Sequence, residues 1–284
     1  MALLRNLERA ARLGMRLGGI ASRVRQTTNA RVHFFDASGQ GDLPPVVIIH
    51  GIGSNATPYW PMISRIRKVA RRVIAPESPG HGLSEPPVVP LTPDSLFAGV
   101  SELLAAELTE PAIVFGNSLG GAIALRYALE QPARVKGLVL SSPGGATMTP
   151  AELEALIGHF RHEDLAASRA FIQRLYHRAP WYAPLLGRDI HALMARPSLK
   201  ELLASIRREH LFTAEQVGAL SVPALLLWGT ADVLMPRSNL EFFRRSLPPH
   251  VLIEEPVGFS HCPYLEHTVE LSDRVVSFAR SLPM

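Results

Sequence analysis

The chain has 284 residues, of which 47% are hydrophobic and 19% charged, and its mean hydropathy is +0.12. This profile is typical of a folded globular protein and excludes disordered and collagen-like classes. The length fits one large α/β domain with an insertion, or two small domains, and either can bury a sizeable core. The single cysteine, Cys262, excludes an intramolecular disulfide framework and any multi-cysteine zinc or iron–sulfur site.

The net charge of +4 is unevenly distributed along the chain. Residues 1–31 carry seven arginines against the single acid Glu8, which is a local charge of +6. Residues 32–284 therefore carry a charge of −2. Charge gives no support to a nucleic-acid-binding face on this body, and we expect no nucleic-acid partner.

The first predicted element is an amphipathic helix over residues 2–25, within an N-terminal segment of residues 1–30. Its apolar side chains recur at three- and four-residue spacing, and its arginines form a neighbouring stripe. Arginines interrupt every apolar run, which excludes a signal-peptide core and a membrane span of about 20 apolar residues. The apolar stripe contains Leu3, Leu7, Ala10, Leu13, Leu17, Ile20 and Val24.

Three interpretations of this helix stay open. Its leucines can pack on the body or on a second subunit, or the helix can lie on an anionic membrane surface. An organelle presequence is the third, although serines are scarce in the segment. We expect a cytoplasmic protein with peripheral membrane contact through residues 2–25, and the sequence does not define the oligomeric state.

Short apolar segments, most of them rich in β-branched residues, then alternate with longer segments along the chain. The predicted strands are residues 32–35, 46–49, 72–75, 112–115, 135–140, 224–228 and 251–253. The segments long enough for a crossover helix are residues 58–68, 94–109, 119–130 and 237–247. This alternation predicts an α/β fold with a mostly parallel central sheet flanked by helices.

The alternation stops between Pro143 and Val222, where the chain is predicted to be mostly helical. The strand pattern resumes afterwards, so we interpret residues 144–219 as a helical lid inserted into a core of residues 31–143 and 220–284. The lid is rich in aromatic side chains, which favour an acyl or aryl substrate over a highly charged one. These aromatic residues are Phe160, Phe171, Tyr176, Trp181, Tyr182 and Phe212.

A G-x-S-x-G motif lies between the predicted strand 112–115 and the predicted helix 119–130. Gly116, Ser118 and Gly120 occupy its fixed positions. In this context the chain turns so sharply that small residues are needed on both sides, and the serine points into solvent. At the start of a helix, the serine oxygen also lies near the positive end of the helix dipole. Ser118 is therefore predicted to be a nucleophile.

A serine hydroxyl needs a base, and the base needs a group that orients it. Asp232 follows the predicted strand 224–228, and His261 lies in a loop after the predicted strand 251–253. The chain order Ser118, Asp232, His261 differs from the orders of the two protease classes and is that of the α/β-hydrolases. The sequence therefore predicts a Ser-His-Asp triad.

From about residue 31 onward the chain resembles the α/β-hydrolase superfamily, in particular its lid-containing serine esterases and lipases. Residues 50–53 are similar to the oxyanion loop after the third strand, and residues 79–84 are similar to the family's G-x-G-x-S turn. The chain departs from the pattern at Glu77, where the family usually has aspartate. Only residues 32–35 are recognisable of the usual pair of strands before the third, so the N-terminal helix is a candidate replacement for the other.

The resemblance implies a role for each matching residue. Ser118 attacks a carbonyl, His261 takes its proton and later activates water, and Asp232 holds the imidazole in the required tautomer. The backbone N–H groups of Ile52 and Leu119 form the oxyanion hole. Removing one such donor typically costs about a hundredfold or more in rate.

Three further residues are expected to contact the substrate. They are Gly51 in the oxyanion loop, Asn117 beside the nucleophile, and Trp181 in the lid. No metal is expected, because His159 and His162 lack a partner pair of carboxylates. No cofactor is expected either.

The sequence thus predicts a serine hydrolase that cleaves small-molecule carboxylic esters, either acyl or aryl and including lipid-like esters, through an acyl-enzyme. A serine at the elbow excludes relatives that open epoxides or remove halide, which use a carboxylate there. A carbon–carbon bond hydrolase of dienoic meta-cleavage-type products stays open, because residues 116–118 also resemble that subgroup. Outside enzymes, the alternative is a non-catalytic membrane or partner-binding module, against which a complete triad argues.

Overall fold

A computed structural model describes residues 2–283 of the chain. Its centre is an eight-stranded sheet in the order β1-β2-β4-β3-β5-β6-β7-β8, antiparallel at β1/β2 and β2/β4 and parallel elsewhere. The strands are β1 (Ile20–Gln26), β2 (Arg31–Ser38), β3 (Val46–Ile49), β4 (Arg72–Pro76), β5 (Ala112–Asn117), β6 (Val135–Ser141), β7 (Ala224–Leu227) and β8 (Leu252–Glu254). This sheet confirms the predicted fold class.

Helices cover both faces of the sheet and fill the long connection between β6 and β7. Within residues 2–283 the α-helices are α1 (Ala2–Leu17), α2 (Trp60–Ile66), α3 (Pro93–Glu107), α4 (Leu119–Glu130), α5 (Pro150–Gly158), α6 (Leu165–Leu175), α7 (Gly187–Met194), α8 (Pro197–Ser205), α9 (Ala214–Gly218), α10 (Arg237–Ser246), α11 (Pro263–Glu266) and α12 (Thr268–Ser281). Short 3-10 helices lie at Thr57–Tyr59, Pro132–Arg134, Ala183–Leu186 and Arg208–His210.

The central strands are apolar because both faces of the sheet are covered. Every residue of β3 is buried, and successive side chains of a strand point to opposite faces. Val47 and Ile49 accordingly pack into the core on one face, whereas Val46 and Ile48 pack into the core on the other. The parallel strands all end at the same edge, which brings the loops after β3, β5, β7 and β8 together.

The N-terminal segment differs from the prediction of one helix over residues 2–25. The helix α1 ends at Leu17, and the chain turns at Gly19, whose φ of +76° favours glycine. Residues beyond it form β1, which pairs antiparallel with β2 over Ile20 to Gln26. The segment 1–30 therefore supplies both a helix and the strand that was not recognisable in the sequence.

Helix α1 packs on the body through the face that carries Leu4, Ala11 and Met15, which adjoins its leucine stripe. Met15 is fully buried, and a Cβ at Gly14 would lie 2.3 Å from the ring of Trp60. In contrast, Leu13 and Leu17 are 57% and 80% exposed. Leu13 and Leu17 therefore do not pack on the body of the same chain, whereas Leu7 of the same stripe lines a cavity between α1 and the body.

Helices α5 to α9 form the helical insertion of residues 144–219. An isolated bridge between Ala146 and Phe212 joins the two ends of the insertion beside the sheet. The insertion also contacts α1, because the backbone N–H of Leu4 donates to Asp189 Oδ2 at 2.6 Å. None of the described helices is long and apolar enough to cross a membrane.

The packing of α1 generates a prediction about stability. Met15→Ala removes a fully buried side chain and is expected to lower the free energy of unfolding by about 2–5 kcal/mol. Leu17→Ala, on the exposed face of the same helix, should change it by less than about 0.5 kcal/mol. Urea unfolding followed by tryptophan fluorescence measures both values. Equal effects of the two substitutions would contradict the orientation of α1.

Candidate active site

Ser118 lies at the sharp turn between β5 and α4, and its backbone is in an unusual conformation. Its φ is 56° and its ψ is −123°, a region that costs a non-glycine residue about 1–3 kcal/mol. The turn is also very tight, since a Cβ at Gly116 would lie 2.2 Å from the Gly120 carbonyl oxygen. A Cβ at Gly120 would lie 2.2 Å from the Ile49 carbonyl oxygen. The two glycines of the motif are therefore required by close backbone contact.

Asp232 and His261 lie beyond the ends of β7 and β8, at the same edge of the sheet as Ser118. His261 Nδ1 lies 2.9 Å from Asp232 Oδ2, and both side chains are almost completely buried. Because the carboxylate accepts this hydrogen bond, Nδ1 carries the proton and Nε2 is left as the basic nitrogen. His261 and Ser118 line one cavity.

The carboxylate of Asp232 is held by several donors. The backbone N–H groups of Leu234 and Met235 donate to its Oδ1 at 2.9 and 3.1 Å. Burial by itself would raise the pKa of Asp232, but His261 and the hydroxyl of Ser142 outweigh burial and lower it. Ser142 was not predicted from the sequence, although its place directly after β6 puts it at the same edge.

The backbone N–H groups of Ile52 and Leu119 are the candidate donors to an oxyanion. Both residues line a cavity with Ser118, and neither N–H donates to a described residue. The loop that carries Ile52 is fixed by His50, whose Nδ1 donates to the Gly51 carbonyl at 2.8 Å. His50 Nε2 accepts from the backbone N–H of Ser78 at 3.0 Å. Burial lowers the pKa of His50, which keeps this tautomer neutral.

Glu77 joins the oxyanion loop to the turn of residues 79–84. Its Oε1 accepts from the backbone N–H of Ala56 at 3.2 Å, and its Oε2 accepts from that of Leu83 at 2.6 Å. Burial would raise the pKa of Glu77, but the contact with His33 and the Leu83 N–H outweigh burial and lower it. Glu77, although longer than the aspartate that is usual at this position in the family, thus accepts hydrogen bonds from the backbone of both segments.

The three residues that were expected to contact the substrate lie in different surroundings. A Cβ at Gly51 would lie 3.6 Å from the Ser118 hydroxyl oxygen, so Gly51 does lie beside the nucleophile. Asn117 Nδ2 donates to the carbonyls of Ser141 and His261 at 3.1 and 3.0 Å. Its amide N–H groups are therefore used to hold the backbone rather than a substrate.

The position of Trp181 contradicts the prediction that this residue binds substrate. Its side chain is 85% exposed, and neither described cavity at Ser118 is lined by it. Its ring stands edge-on to Tyr182, with the centroids 5.9 Å apart, and Tyr182 is the one that lines a cavity. The other five aromatic residues predicted for the lid line the cavities.

Two cavities meet at Ser118. The insertion-side cavity, of about 600 Å³, is lined by Ile52, Leu119 and apolar residues of the insertion such as Leu156 and Phe160. The helix-side cavity, of about 310 Å³, contains His261 and side chains of α1. The residues of α1 that line it are Leu4, Leu7, Glu8 and Ala11. No sequence signal connected α1 with the site, because an amphipathic pattern does not reveal what a helix face contacts.

Neither a metal centre nor a cysteine nucleophile is indicated by the described residues. No group of three or more His, Cys, Asp or Glu side chains within residues 2–283 could hold a metal ion. Cys262 is buried, and burial raises the pKa of its thiol to about 12. The thiol therefore stays protonated, and the serine remains the candidate nucleophile.

The chain belongs to the alpha/beta hydrolase family, whose model matches residues 46–274. A pimeloyl-[acyl-carrier protein] methyl ester esterase from Chromobacterium violaceum is 31% identical over 252 residues, which cover 82% of this chain and 92% of the relative. Family and fold therefore place the chain among hydrolases.

Two solved structures share this fold. A membrane phospholipase A, a bacterial virulence factor, has a TM-score of 0.83 at 21% identity, over 98% of this chain and 92% of its own. A 2-hydroxy-6-oxo-6-phenylhexa-2,4-dienoate hydrolase from Rhodococcus sp. strain RHA1 has a TM-score of 0.79 at 22% identity, over 92% and 99%. At these identities the similarity establishes the fold alone.

The buried carboxylate of Glu77 generates a prediction about pH. Its pKa in the folded chain is lowered, so its stabilisation is complete above its unfolded pKa and is lost as the pH falls through the folded pKa. Glu77→Gln should lower the free energy of unfolding at pH 7 by about 1–3 kcal/mol. The difference from the unsubstituted chain should shrink as the pH is lowered through the acid range.

The control is Glu85→Gln, which removes an exposed carboxylate that pairs with Arg31 and should have little effect at any pH. Urea unfolding at a series of pH values measures both substitutions. A Glu77→Gln effect that is constant between neutral and acid pH would contradict the lowered pKa.

Proposed function

We propose that the chain is a serine esterase that cleaves carboxylic esters with an apolar acyl group. The observation that carries the proposal is the arrangement at the sheet edge. Ser118 lies on a strained elbow, and it shares a cavity with His261, whose Nδ1 is 2.9 Å from Asp232 Oδ2. A positioned base and an orienting acid are what a serine nucleophile requires.

In this mechanism the Ser118 hydroxyl oxygen bonds to the ester carbonyl carbon, and its proton passes to His261 Nε2. The carbonyl oxygen becomes an oxyanion that accepts from the N–H groups of Ile52 and Leu119. The bond to the alcohol oxygen then breaks, and His261 returns the proton to the departing alcohol. Water repeats the sequence on the acyl-enzyme and releases the acid.

Each of the two cavities holds one part of the ester. His261 must reach the leaving oxygen to protonate it, and it lines the helix-side cavity. The alcohol therefore occupies that cavity, beneath α1. The acyl chain occupies the larger insertion-side cavity, which is rich in leucine, isoleucine and phenylalanine side chains. Apolar linings of this kind favour apolar chains.

The named relatives support an ester substrate. The Chromobacterium violaceum relative, at 31% identity, is named for a methyl ester. The carbon–carbon hydrolase resembles this chain only in fold, at 22% identity. Ester cleavage is therefore the activity to test first.

Initial rates on p-nitrophenyl esters of increasing acyl length test the proposal. Turnover should peak at one chain length and fall when the chain exceeds the insertion-side cavity. Ser118→Ala should lower kcat/KM at least about 10⁴-fold while the unfolding midpoint is retained. Turnover retained by that variant would contradict the role of Ser118.

A matched pair of substitutions tests the division of the cavities. Leu156→Trp fills the insertion-side cavity and should move the optimum to shorter acyl chains. Ile190→Trp fills the helix-side cavity and should leave that optimum in place while slowing esters of bulky alcohols. No turnover at any acyl length, in a protein that a phosphonate still labels at Ser118, would instead favour carbon–carbon cleavage.

The exposed stripe of α1 supports contact with an anionic membrane as part of this function. Leu13 and Leu17 lie on the outer side of the helix, and the exposed Arg9 and Arg16 follow the neighbouring stripe. The one acid of the helix, Glu8, is turned inward and accepts from Asn55 Nδ2 at 2.7 Å. Apolar side chains flanked by arginines fit the boundary between anionic headgroups and acyl chains.

Co-sedimentation with vesicles tests this contact. The chain should bind vesicles that contain phosphatidylglycerol more tightly than vesicles of phosphatidylcholine alone. Leu13→Asp with Leu17→Asp should weaken binding at least about tenfold, whereas Val88→Asp, at an exposed position outside α1, should not. Deleting residues 1–25 is unsuitable, because it removes most of β1. Unchanged vesicle binding by the double variant would overturn the membrane contact. A double variant that loses a dimer of the chain, and not vesicle binding, would overturn it as well.

A further inference from the structure

Three side chains connect the outer strand β1 with the loop that carries Ile52. Ser22 lies on β1 and is exposed. Its hydroxyl oxygen lies 2.7 Å from His33 Nε2, and His33 Nδ1 lies 3.0 Å from Glu77 Oε2. The side chains of His33 and Glu77 are 3% and 0% exposed. This series of contacts therefore starts at the protein surface and ends at a buried carboxylate.

The carboxylate of Glu77 determines how the neutral His33 ring is protonated. An ionised carboxylate can only accept hydrogen bonds, so Nδ1, which faces it, carries the proton. Nε2 then accepts from the Ser22 hydroxyl. The backbone of His33 is held as well, because its N–H donates to Ser84 Oγ at 2.8 Å. The ring is therefore held on both sides, by Ser22 and by Glu77.

Two consecutive residues after β4 hold both ends of the loop that carries Ile52. The Ser78 N–H donates at 3.0 Å to Nε2 of His50, where the loop starts. Glu77 Oε1 accepts at 3.2 Å from the N–H of Ala56, where the loop ends. The position of the Ile52 N–H, between these two ends, therefore depends on where the Glu77 carboxylate lies.

The Glu77 carboxylate is restricted by its surroundings. Gly82 has a φ of +56°, and a Cβ there would lie 2.2 Å from Glu77 Oε2. Oε2 accepts from the Leu83 N–H at 2.6 Å and also faces His33 Nδ1. These contacts direct the other oxygen, Oε1, toward Ala56. A change in the orientation of the His33 ring would therefore alter the hydrogen bond to the loop.

We infer that Ser22 and His33 are positioning residues for the oxyanion hole, on which they act through Glu77. The Ser22 hydroxyl orients the His33 ring, and the ring orients the Glu77 carboxylate, which holds the loop. Neither Ser22 nor His33 touches the substrate. The inference rests on the proposed esterase function, because an oxyanion forms only when Ser118 attacks a carbonyl. It gives the outermost strand of the sheet a role in the rate of the reaction.

The first test is the kinetics of Ser22→Ala on the p-nitrophenyl ester of optimal acyl length. We expect kcat to fall about 3- to 10-fold, the effect of one hydrogen bond. KM should stay unchanged, because an oxyanion hole stabilises the transition states of acylation and deacylation rather than the bound ester. The substitution is at an exposed position, so the urea unfolding midpoint should be retained.

Two further substitutions serve as controls for Ser22→Ala. Ser22→Thr keeps a hydroxyl at the same position and should retain the kcat of the unsubstituted chain. Ser38→Ala removes an exposed hydroxyl from the end of β2 and should change neither kcat nor KM. A fall in kcat that is as large in Ser22→Thr or Ser38→Ala would overturn the inference.

A pair of ketones tests the oxyanion hole separately from turnover. With octyl trifluoromethyl ketone, the Ser118 hydroxyl oxygen bonds to the carbonyl carbon, the hydroxyl proton passes to His261 Nε2, and the ketone oxygen becomes an oxyanion. Octyl methyl ketone has the same chain and binds without this step. Ser22→Ala should raise the Ki of the trifluoromethyl ketone by the factor by which kcat falls and leave the other Ki unchanged. Equal increases in both Ki values would overturn the inference, because they would indicate a distorted cavity.

A double variant tests whether Ser22 acts through His33. His33→Asn keeps an N–H group toward Glu77 and removes the acceptor of the Ser22 hydroxyl. In this background Ser22→Ala should have no further effect on kcat. Additive effects of the two substitutions would overturn the inference. If His33→Asn does not fold, the Ki values of the two ketones for Ser22→Ala and Ser22→Thr decide the question.

Failure of the inference can be distinguished from failure of the proposed function. If the unsubstituted chain cleaves no p-nitrophenyl ester and binds both ketones equally, the proposed esterase function fails. If the unsubstituted chain is active and Ser22→Ala has the same kcat and Ki values, the inference fails and the esterase function stands.

Discussion

The tight turn between β5 and α4 is the constraint on which the rest of the site depends. It places Ser118 at a φ of 56°, a strain of about 1–3 kcal/mol that surrounding structure must offset. The Ser118 N–H donates to the Ser141 carbonyl at 3.1 Å, and the Gly144 N–H donates to the Ser118 carbonyl at 2.9 Å. Both partners come from β6 and the loop after it, so the neighbouring parallel strand holds the elbow. The same parallel arrangement brings Asp232 and His261 to this edge.

Helix α1 forms one side of the site. Its buried face carries Met15 and Gly14 against the body, and its other side chains either line cavities or face outward. One helix thus closes the space beside His261 and leaves Leu13 and Leu17 exposed. In our account, substrate selection by the alcohol part and contact with a lipid surface are properties of this single element.

Much of the fold, and the meeting of Ser118, Asp232 and His261 at one edge of the sheet, could be predicted, because buried parallel strands are apolar runs and the nucleophile elbow has a local signature. Strand β1 was not predicted, because six of its seven residues are exposed. Its sequence is therefore polar and lacks an apolar run. The outward position of Trp181 and the backbone contacts of Asn117 depend on how distant segments pack. The face of α1 that is buried depends likewise on Trp60, which the pattern of α1 cannot reveal.

The central claim is that Ser118 is a nucleophile activated by His261. The most direct test is the mass of the peptides obtained after the folded chain reacts with a long-chain fluorophosphonate. Our account predicts one adduct per chain, on the peptide that contains Ser118, and much slower labelling of His261→Ala. An adduct on another residue, or equal labelling of the Ser118→Ala variant, would contradict the account.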